Sequence, residues 1–218
     1  MSSPKFNAFK DTIMHTNGNT LQLPSPEQVQ MLRKVIERFI EPSEEEWEAF
    51  AKPLRLRHIP KNGFFLKEGE VCSHVGFILR GLVRYYHVKD GNEYCGNFSF
   101  ENSFVTEYDS FLNRTPSRYT FSALEPTDVL VFHYDDTQKA YLKYKTWERF
   151  GRLIAERIFV EVQRRKNSLV FDSPEQQYLS LIAERPKVIE RVPQHMIATY
   201  LGISSVHLSR IRRKLSGK

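Results

Sequence analysis

The C-terminal end of the chain reads PQHMIATYLGISSVHLSRIRRKL from Pro193 to Leu215. Gly202 divides this stretch into two short amphipathic segments, and a residue without a side chain permits a tight turn between them. Ala198 is small, as is needed where a second helix crosses closely, and Ser204 is placed to cap the second segment. The apolar positions of that segment follow helical spacing and are Leu208, Ile211 and Leu215. We therefore predict two helices joined by a tight turn.

The second predicted helix is polar and basic on the face opposite its apolar side. From Ser204 onward the chain contains five Lys and Arg residues and no acid. Polar side chains near the start of such a helix can reach base edges in the major groove of DNA, and arginines can bind guanine or phosphate. A helical hairpin with a solvated basic face is the alternative. We predict a helix-turn-helix that binds double-stranded DNA through Ser204, Ser205, Val206, Ser209, Arg210 and Arg213.

Charge is distributed unevenly along the 218 residues, whose formal net charge is +6. Residues 1–140 contain 16 Lys and Arg against 19 Asp and Glu, whereas residues 141–218 contain 16 against 7. Basic charge concentrated in one terminal region favours a polyanionic partner, although a solvated basic tail is again the alternative.

Cysteines and apolar runs restrict the cofactors and the cellular compartment. Cys72 and Cys95 are the two cysteines of the chain, too few for a disulfide framework or an iron–sulfur cluster. No apolar run approaches the roughly 20 residues that cross a membrane, and the first residues lack the pattern of a secretory signal. We expect a cytoplasmic protein with no metal and no membrane partner.

Short strand-like runs bounded by Gly, Asn and Asp occupy the region from Leu54 to about His133. Asp90-Gly91 is a strong hairpin signal within it. About eight such runs predict a sandwich or barrel. Two helices should precede this region, one beginning near Ser25 and one at Ser43, because serine caps the first turn of a helix.

A long helix is predicted from about residue 137 to residue 171. Apolar residues follow each other along one side at steps of three and four, and Leu153 and Val160 add a second apolar face. A helix that is apolar on two faces must bury both, and a two-fold mate is the simplest cover for the second. Burial inside a monomer is the alternative. We predict a dimer interface at Trp147, Phe150, Ile154 and Ile158.

The segment after this helix contains the last predicted elements. Asp172-Ser173 marks a hinge before a new helix, which should stop at Arg185-Pro186. The short piece that follows, residues 188–192, is predicted as a strand or a loop. Because this piece is short and Lys218 follows the last helix closely, we expect the β-wing common beside such motifs to be reduced or absent.

The chain resembles the Crp/Fnr family of bacterial transcription factors over about residues 25–218. GFFLKEGE at 63–70 and GFILRG at 76–81 look like the opening strands of a cyclic-nucleotide-binding-type β-roll. The long helix and the helix-turn-helix account for the rest of the resemblance. Arg210 stands where the family places a base-reading arginine. The resemblance implies a homodimer on an inverted repeat with half-sites about 34 Å apart. It also implies contact with RNA polymerase.

The chain departs from the pattern of cyclic-nucleotide-binding members, in which Phe-x-Gly-Glu is followed ten positions later by Arg-Ser. Glu107 is kept, but Thr106 stands in place of the glycine, Ser117 in place of the arginine, and Arg118 one position later. Neighbouring residues of a strand point to opposite faces. We therefore expect no cyclic nucleotide and assign a candidate effector pocket to Glu107, Ser117 and Arg118.

The predicted fold is α+β, with an N-terminal β-roll, a jelly-roll-like double-stranded β-helix with flanking helices. The units are a flexible extension at 1–24, the β-roll domain at 25–136, a dimerisation helix region at 137–171 and the helix-turn-helix domain at 172–218. The predicted function is a homodimeric DNA-binding transcription regulator, either gated by an unidentified small molecule or constitutive with a ligand-free β-roll. A cupin-like metalloenzyme is the third alternative, but the sequence has no His-x-His pair, so we expect no enzyme.

Overall fold

A computed structural model describes residues 14–16 and 19–217. Its strands are β1 (Met14–Thr16), β2 (Asn19–Gln22), β3 (Arg55–Ile59), β4 (Phe64–Leu66), β5 (His74–Arg80), β6 (Val83–Lys89), β7 (Asn92–Ser99), β8 (Phe104–Val105), β9 (Thr120–Ala123) and β10 (Thr127–His133). They form two antiparallel sheets, with strand orders β1-β2-β3-β10-β5-β8 and β4-β9-β6-β7. The predicted β-roll is confirmed, and its eight strands from β3 to β10 lie between residues 55 and 133.

Part of the predicted flexible extension is structured. β1 and β2 pair with each other, and β2 adds to the edge of β3, with Leu21 opposite Arg57 and Gln22 opposite Leu56. An edge strand presents unpaired backbone groups, and β2 satisfies those of β3. The prediction for residues 1–13 and 17–18 falls outside the described residues.

The helices are α1 (Pro26–Ile36), α2 (Glu44–Ala51), α3 (Tyr108–Asn113), α4 (Tyr134–Lys143), α5 (Lys145–Phe171), α6 (Pro174–Glu184), α7 (Pro186–Arg191), α8 (Gln194–Tyr200) and α9 (Ser205–Leu215). Ser25, Ser43 and Ser173 each close a capping box, in which the serine side chain and the third helical residue satisfy each other's amides. No helix within the described residues combines the length and the apolar character needed to cross a membrane.

Two helical features differ from the sequence prediction. The long helix is interrupted at Tyr144, whose extended backbone (φ −131°, ψ 119°) separates α4 from α5. Residues 188–192, predicted as a strand or a loop, instead continue the helix α7 and its end. Helical spacing of four residues places Val188 and Val192 on one side, and both are buried. No strand lies among the described residues after 171, which is the arrangement expected for a missing wing.

Three buried clusters hold the chain together. The first packs α1, α2 and α5 on the larger sheet, and there Trp147 stacks on Phe50 with ring centroids 4.0 Å apart. The second fills the space between the two sheets. The third joins β7 to the C-terminal helices, because Phe98 belongs to the same cluster as Tyr178, Ile197 and Leu208. The helix-turn-helix therefore shares a core with the β-roll of its own chain.

Candidate DNA-binding interface

α8 and α9 form the helix-turn-helix. Gly202, in the turn between them, has a φ of 71°, which a residue without a Cβ adopts at little cost. The Ser204 hydroxyl oxygen accepts a hydrogen bond from the His207 amide at 3.2 Å and caps α9. Ala198 and Leu208 are almost fully buried in the core that the two helices share. The turn glycine, the small residue and the cap thus have the roles that the sequence predicted.

The buried face of α9 is shorter than predicted. Leu208 and Ile211 are buried, but Leu215 is 39 % exposed. The last turn of α9 lies beside α6, where Leu215, Tyr178 and Ile182 line an open depression of the surface. The prediction that Leu215 is buried was therefore wrong, because the core of this unit ends one turn before the end of the helix.

The exposed face of α9 brings five of the six predicted contact residues onto one concave surface: Ser205, Val206, Ser209, Arg210 and Arg213. Ser204 lies at the edge of this face and is the helix cap. Arg210 and Arg213 take part in none of the ion pairs between described residues. Their charges are therefore available to an external anion, whereas neighbouring Lys214 pairs with Glu175 at 2.7 Å.

One arginine of α5 holds α8 in place and was not predicted from the sequence. Arg165 donates a hydrogen bond to the carbonyl oxygen of Tyr200, the last residue of α8, and its guanidinium lies 4.0 Å from the Tyr200 ring centroid. It also donates to Gln177 of α6 at 3.4 Å. Arg165 is one of several basic residues on a polar side of α5, and spacing alone does not distinguish it from its neighbours.

The candidate effector residues of the β-roll are occupied by local contacts. Glu107 caps α3 by accepting a hydrogen bond from the Ser110 amide at 2.7 Å, and burial raises the pKa of its carboxyl group. The Ser117 hydroxyl donates to the Tyr119 carbonyl at 2.9 Å and accepts from the Tyr119 amide at 3.0 Å. Arg118 is exposed. No hydrogen bond or ion pair between described residues joins Glu107, Ser117 and Arg118 to one another.

Aromatic side chains fill the interior beside α3. The Tyr85 ring stacks on Phe121 with centroids 5.2 Å apart and meets the Tyr119 ring edge-on at 5.5 Å. A Cβ built on Gly96 of β7 would lie 2.0 Å from the Tyr85 ring, so the glycine makes room for it. Tyr85 and Tyr119 pack against the core that includes Phe111 of α3. Sequence periodicity marked these residues as strand positions but did not predict that they close the interior.

The cupin-like alternative requires a cluster of side chains that hold a metal ion. Among the described residues, no group of three or more His, Cys, Asp or Glu side chains is arranged to hold a metal ion. His74 and His133 come together with ring centroids 5.1 Å apart, and burial lowers the pKa of His74 to about 4. The pair lacks a third ligand.

Residues 56–144 match the family model of the cyclic nucleotide-binding domain. The comparison with curated protein sequences gives no match.

Several solved structures have a similar fold. FixK2 from Bradyrhizobium japonicum is 16 % identical, with a TM-score of 0.67 over 75 % of this chain and 85 % of that chain. CLP of Xanthomonas campestris, described as a c-di-GMP responsive global regulator, is 16 % identical, with a TM-score of 0.63 over 80 % and 92 %. A protein from Eubacterium rectale assigned to the Crp/Fnr family is 14 % identical, with a TM-score of 0.64 over 80 % and 84 %. The predicted resemblance to Crp/Fnr regulators is confirmed in the fold.

α5 buries two of the four residues predicted for a dimer interface. Trp147 and Phe150 are only 1 % and 6 % exposed, because both lie in the core with α1 and α2 of their own chain. Ile154 packs partly against the same core. The prediction for Trp147 and Phe150 was therefore wrong: the face of α5 chosen from the sequence covers the domain itself.

A different face of α5 is apolar and exposed. At 3.6 residues per turn, four of its exposed apolar residues fall within about 100° of one another around the helix axis and therefore form one side of the helix. We call this set the α5 stripe: Phe159, Val162, Leu169 and Val170, which are 63 %, 57 %, 51 % and 66 % exposed. Ile158, also predicted for the interface, lies half-buried at the edge of this stripe.

Proposed function

We propose that the protein is a transcription regulator that binds an inverted repeat in double-stranded DNA as a homodimer. The observation that carries this proposal is the exposed face of α9, where Arg210 and Arg213 are unpaired among the described residues and no acid is present. A helix of 11 residues is about 16 Å long. The major groove of B-DNA is about 12 Å wide and accepts such a helix.

The position of each side chain along α9 indicates its role on DNA. Ser205, Val206 and Ser209 lie in the first half of the helix, the part that approaches base edges in a helix-turn-helix complex. Arg210 follows them and reads a guanine by two hydrogen bonds, whereas Arg213, one turn later, binds phosphate. Ser204 contributes as the helix cap, and the backbone amides at this end of the helix point toward the DNA backbone.

The α5 stripe supports a homodimer. Four large apolar side chains at helical spacing on one exposed face are unusual for a free surface, and a second copy of the same helix covers them symmetrically. The 27 residues of α5 extend about 40 Å. Two recognition helices held by such a helix pair can enter successive major grooves, with half-sites about 34 Å apart.

The β-roll supports a regulator that needs no cyclic nucleotide. Tyr85 and Tyr119 are partly buried and pack against the core between the two sheets, and Arg118, a candidate for binding a cyclic phosphate, is exposed. We propose that the domain acts in the cytoplasm as a constitutive dimer platform and as a contact surface for RNA polymerase. Gating by another small molecule is the second candidate, which a stabilising metabolite would reveal, since a ligand at 100 times its Kd stabilises by about 2.7 kcal/mol.

The test is selection of binding sites from random duplex DNA with the purified protein and no added ligand. We expect enrichment of an inverted repeat with half-sites one helical turn apart. Arg210→Ala should cost about 1–3 kcal/mol and relax the choice at one base pair in each half-site. Arg80→Ala is the matched control, because it removes the same charge from an arginine of the β-roll that pairs with Asp128 and lies on neither α5 nor α9.

Each other outcome of the selection has a separate meaning. If Arg210→Ala weakens DNA binding equally on all sequences, Arg210 binds only phosphate. A dimer that enriches no sequence points to gating by a small molecule. A monomer that enriches no sequence refutes the proposal.

A further inference from the structure

α7 occupies the segment between α6 and α8 and turns its basic residues toward the β-roll. Arg191 donates to both carboxylate oxygens of Glu101, at 2.7 and 2.9 Å, and to both of Glu125, at 2.6 and 3.1 Å. Its guanidinium also lies 5.4 Å from the ring centroid of Phe100. Lys187 adds a second ion pair to Glu101, at 3.1 Å. Glu101 follows β7 and Glu125 lies between β9 and β10, so one arginine bridges two turns of the β-roll.

A second contact lies at the start of α7. Arg185 donates to the carbonyl oxygen of Phe98 in β7 at 2.5 Å and to the side chain of Asn97. Beneath these polar contacts, Phe98 and Tyr200 are in ring contact, with centroids 5.6 Å apart. We call the contacts of Arg185, Lys187 and Arg191 with the β-roll the α7 latch. It joins charged, hydrogen-bonded and apolar contacts at one junction.

The latch acts on α8 together with α5. Arg165 holds Tyr200 from the side of α5, and Phe98 holds the same residue from the side of β7. α9 packs on α8 through the shared core. The direct covalent link between α5 and the C-terminal unit is the extended residue Asp172 (φ −95°, ψ 140°), which by itself permits rotation. The non-covalent contacts at this junction therefore set the direction in which α9 points relative to α5.

We propose that Arg185 and Arg191 are positioning residues that, through α8, fix the distance and angle between the two recognition helices of the dimer, and so select the spacing of the half-sites. This inference rests on the proposed function, because spacing has a meaning only for a dimer on an inverted repeat. None of the latch residues belongs to the DNA-facing surface of α9. Their effect is on geometry and not on the base contacts themselves.

The test compares affinity for two duplexes that contain the selected inverted repeat, one with the selected spacing and one with two extra central base pairs. Two base pairs displace a half-site by about 7 Å and rotate it by about 70°. The variant is Glu101→Gln with Glu125→Gln, which removes both negative charges that pair with Arg191 and turns one acceptor oxygen of each side chain into an NH2 donor. Every residue of the C-terminal unit is unchanged. The control is Glu37→Gln with Glu44→Gln, which removes the same two charges from another arginine that pairs with two glutamates, Arg33 of α1.

The wild type and the control should bind the altered spacing about 10-fold or more weakly, since loss of one base-pair contact has about that effect. The latch variant should bind both spacings within about threefold of each other. A change in stability alone lowers both affinities together and leaves their ratio unchanged. If the double variant does not fold, Glu125→Gln alone keeps the Glu101 contacts and should give an intermediate ratio.

A latch variant that discriminates the two spacings as strongly as the wild type overturns the inference and leaves the proposed function intact. A wild-type protein that binds no inverted repeat more tightly than random duplex overturns the proposed function instead.

Discussion

The substitution Phe159→Asp tests the proposed homodimer at the centre of the α5 stripe. Phe159 is 63 % exposed, and Val162, one turn away, is 57 % exposed. In the dimer, each copy of Phe159 is covered by the partner helix. Aspartate at this position removes the apolar side chain and brings two like charges close to the two-fold axis. The fold of the single chain should be unaffected, because Phe159 lies outside its buried clusters.

The expected magnitude follows from the exposed area. An aromatic side chain offers about 150–250 Å² to burial, so an exposed fraction of 63 % leaves roughly 120 Å² to be covered. At about 25 cal/mol per Å², this area contributes about 3 kcal/mol for one protomer and about 6 kcal/mol for both. Its loss should therefore raise the dimer Kd by about 10²- to 10⁴-fold.

The assay is sedimentation of the wild type and the variant over a dilution series, with circular dichroism to confirm the fold. The matched control is Leu142→Asp, because Leu142 of α4 is 89 % exposed and lies outside the α5 stripe. The control should keep the wild-type Kd. A Phe159→Asp protein with the wild-type Kd would refute the reasoning, and equal loss in both variants would show nonspecific association of exposed apolar residues.

Three further predictions concern the core, the latch and the interior of the β-roll. Trp147→Ala should lower the free energy of unfolding by about 3–5 kcal/mol in chemical denaturation; a loss of the dimer with unchanged stability would restore the dimer role that the sequence suggested. Hydrogen bonds from Arg191 and Lys187 lower the pKa of Glu101 from 4.5 to about 2. The ionised carboxylate therefore adds about 1–2 kcal/mol to the free energy of unfolding after solvent screening. This stabilisation is complete above pH 4.5 and is lost as the pH falls toward 2. The difference in stability between wild type and Glu101→Gln should accordingly shrink between about pH 5 and pH 3, and a difference independent of pH would contradict the ion pair. Gly96→Ala should destabilise by about 1–3 kcal/mol because its methyl group meets the Tyr85 ring, and a Tyr85→Ala background should relieve this cost in the same denaturation assay.

Local patterns in the sequence were sufficient for most of the individual elements. The serine caps, the Asp90-Gly91 hairpin and the Gly202 turn depend on interactions within a few residues, and the structure contains each of them. The exposed residues of α9 were predictable for the same reason. Leu208 and Ile211 determine which side of this helix is buried, and the opposite side then follows from a period of 3.6 residues.

The sequence was less informative where two faces of one element are both apolar. α5 has apolar residues on more than one side, and periodicity cannot tell which side packs within the chain. Trp147 is buried because Phe50 and Trp47, about a hundred residues earlier, form a slot for it. The stripe around Phe159 is exposed because α1 and α2 do not extend that far along the helix.

The amino-acid sequence by itself determined the β-roll, the helix-turn-helix and the exposed side of its second helix, because each depends on periodicity and on turn residues close together in the chain. Only the tertiary structure decided which face of α5 is free, that Tyr85 and Tyr119 close the interior, and that Arg191 of α7 meets Glu101 and Glu125. The two contacts of Arg191 join residues 90 and 66 positions apart. They exist only because the sheets and helices bring distant turns together, and no local pattern in a sequence encodes that proximity.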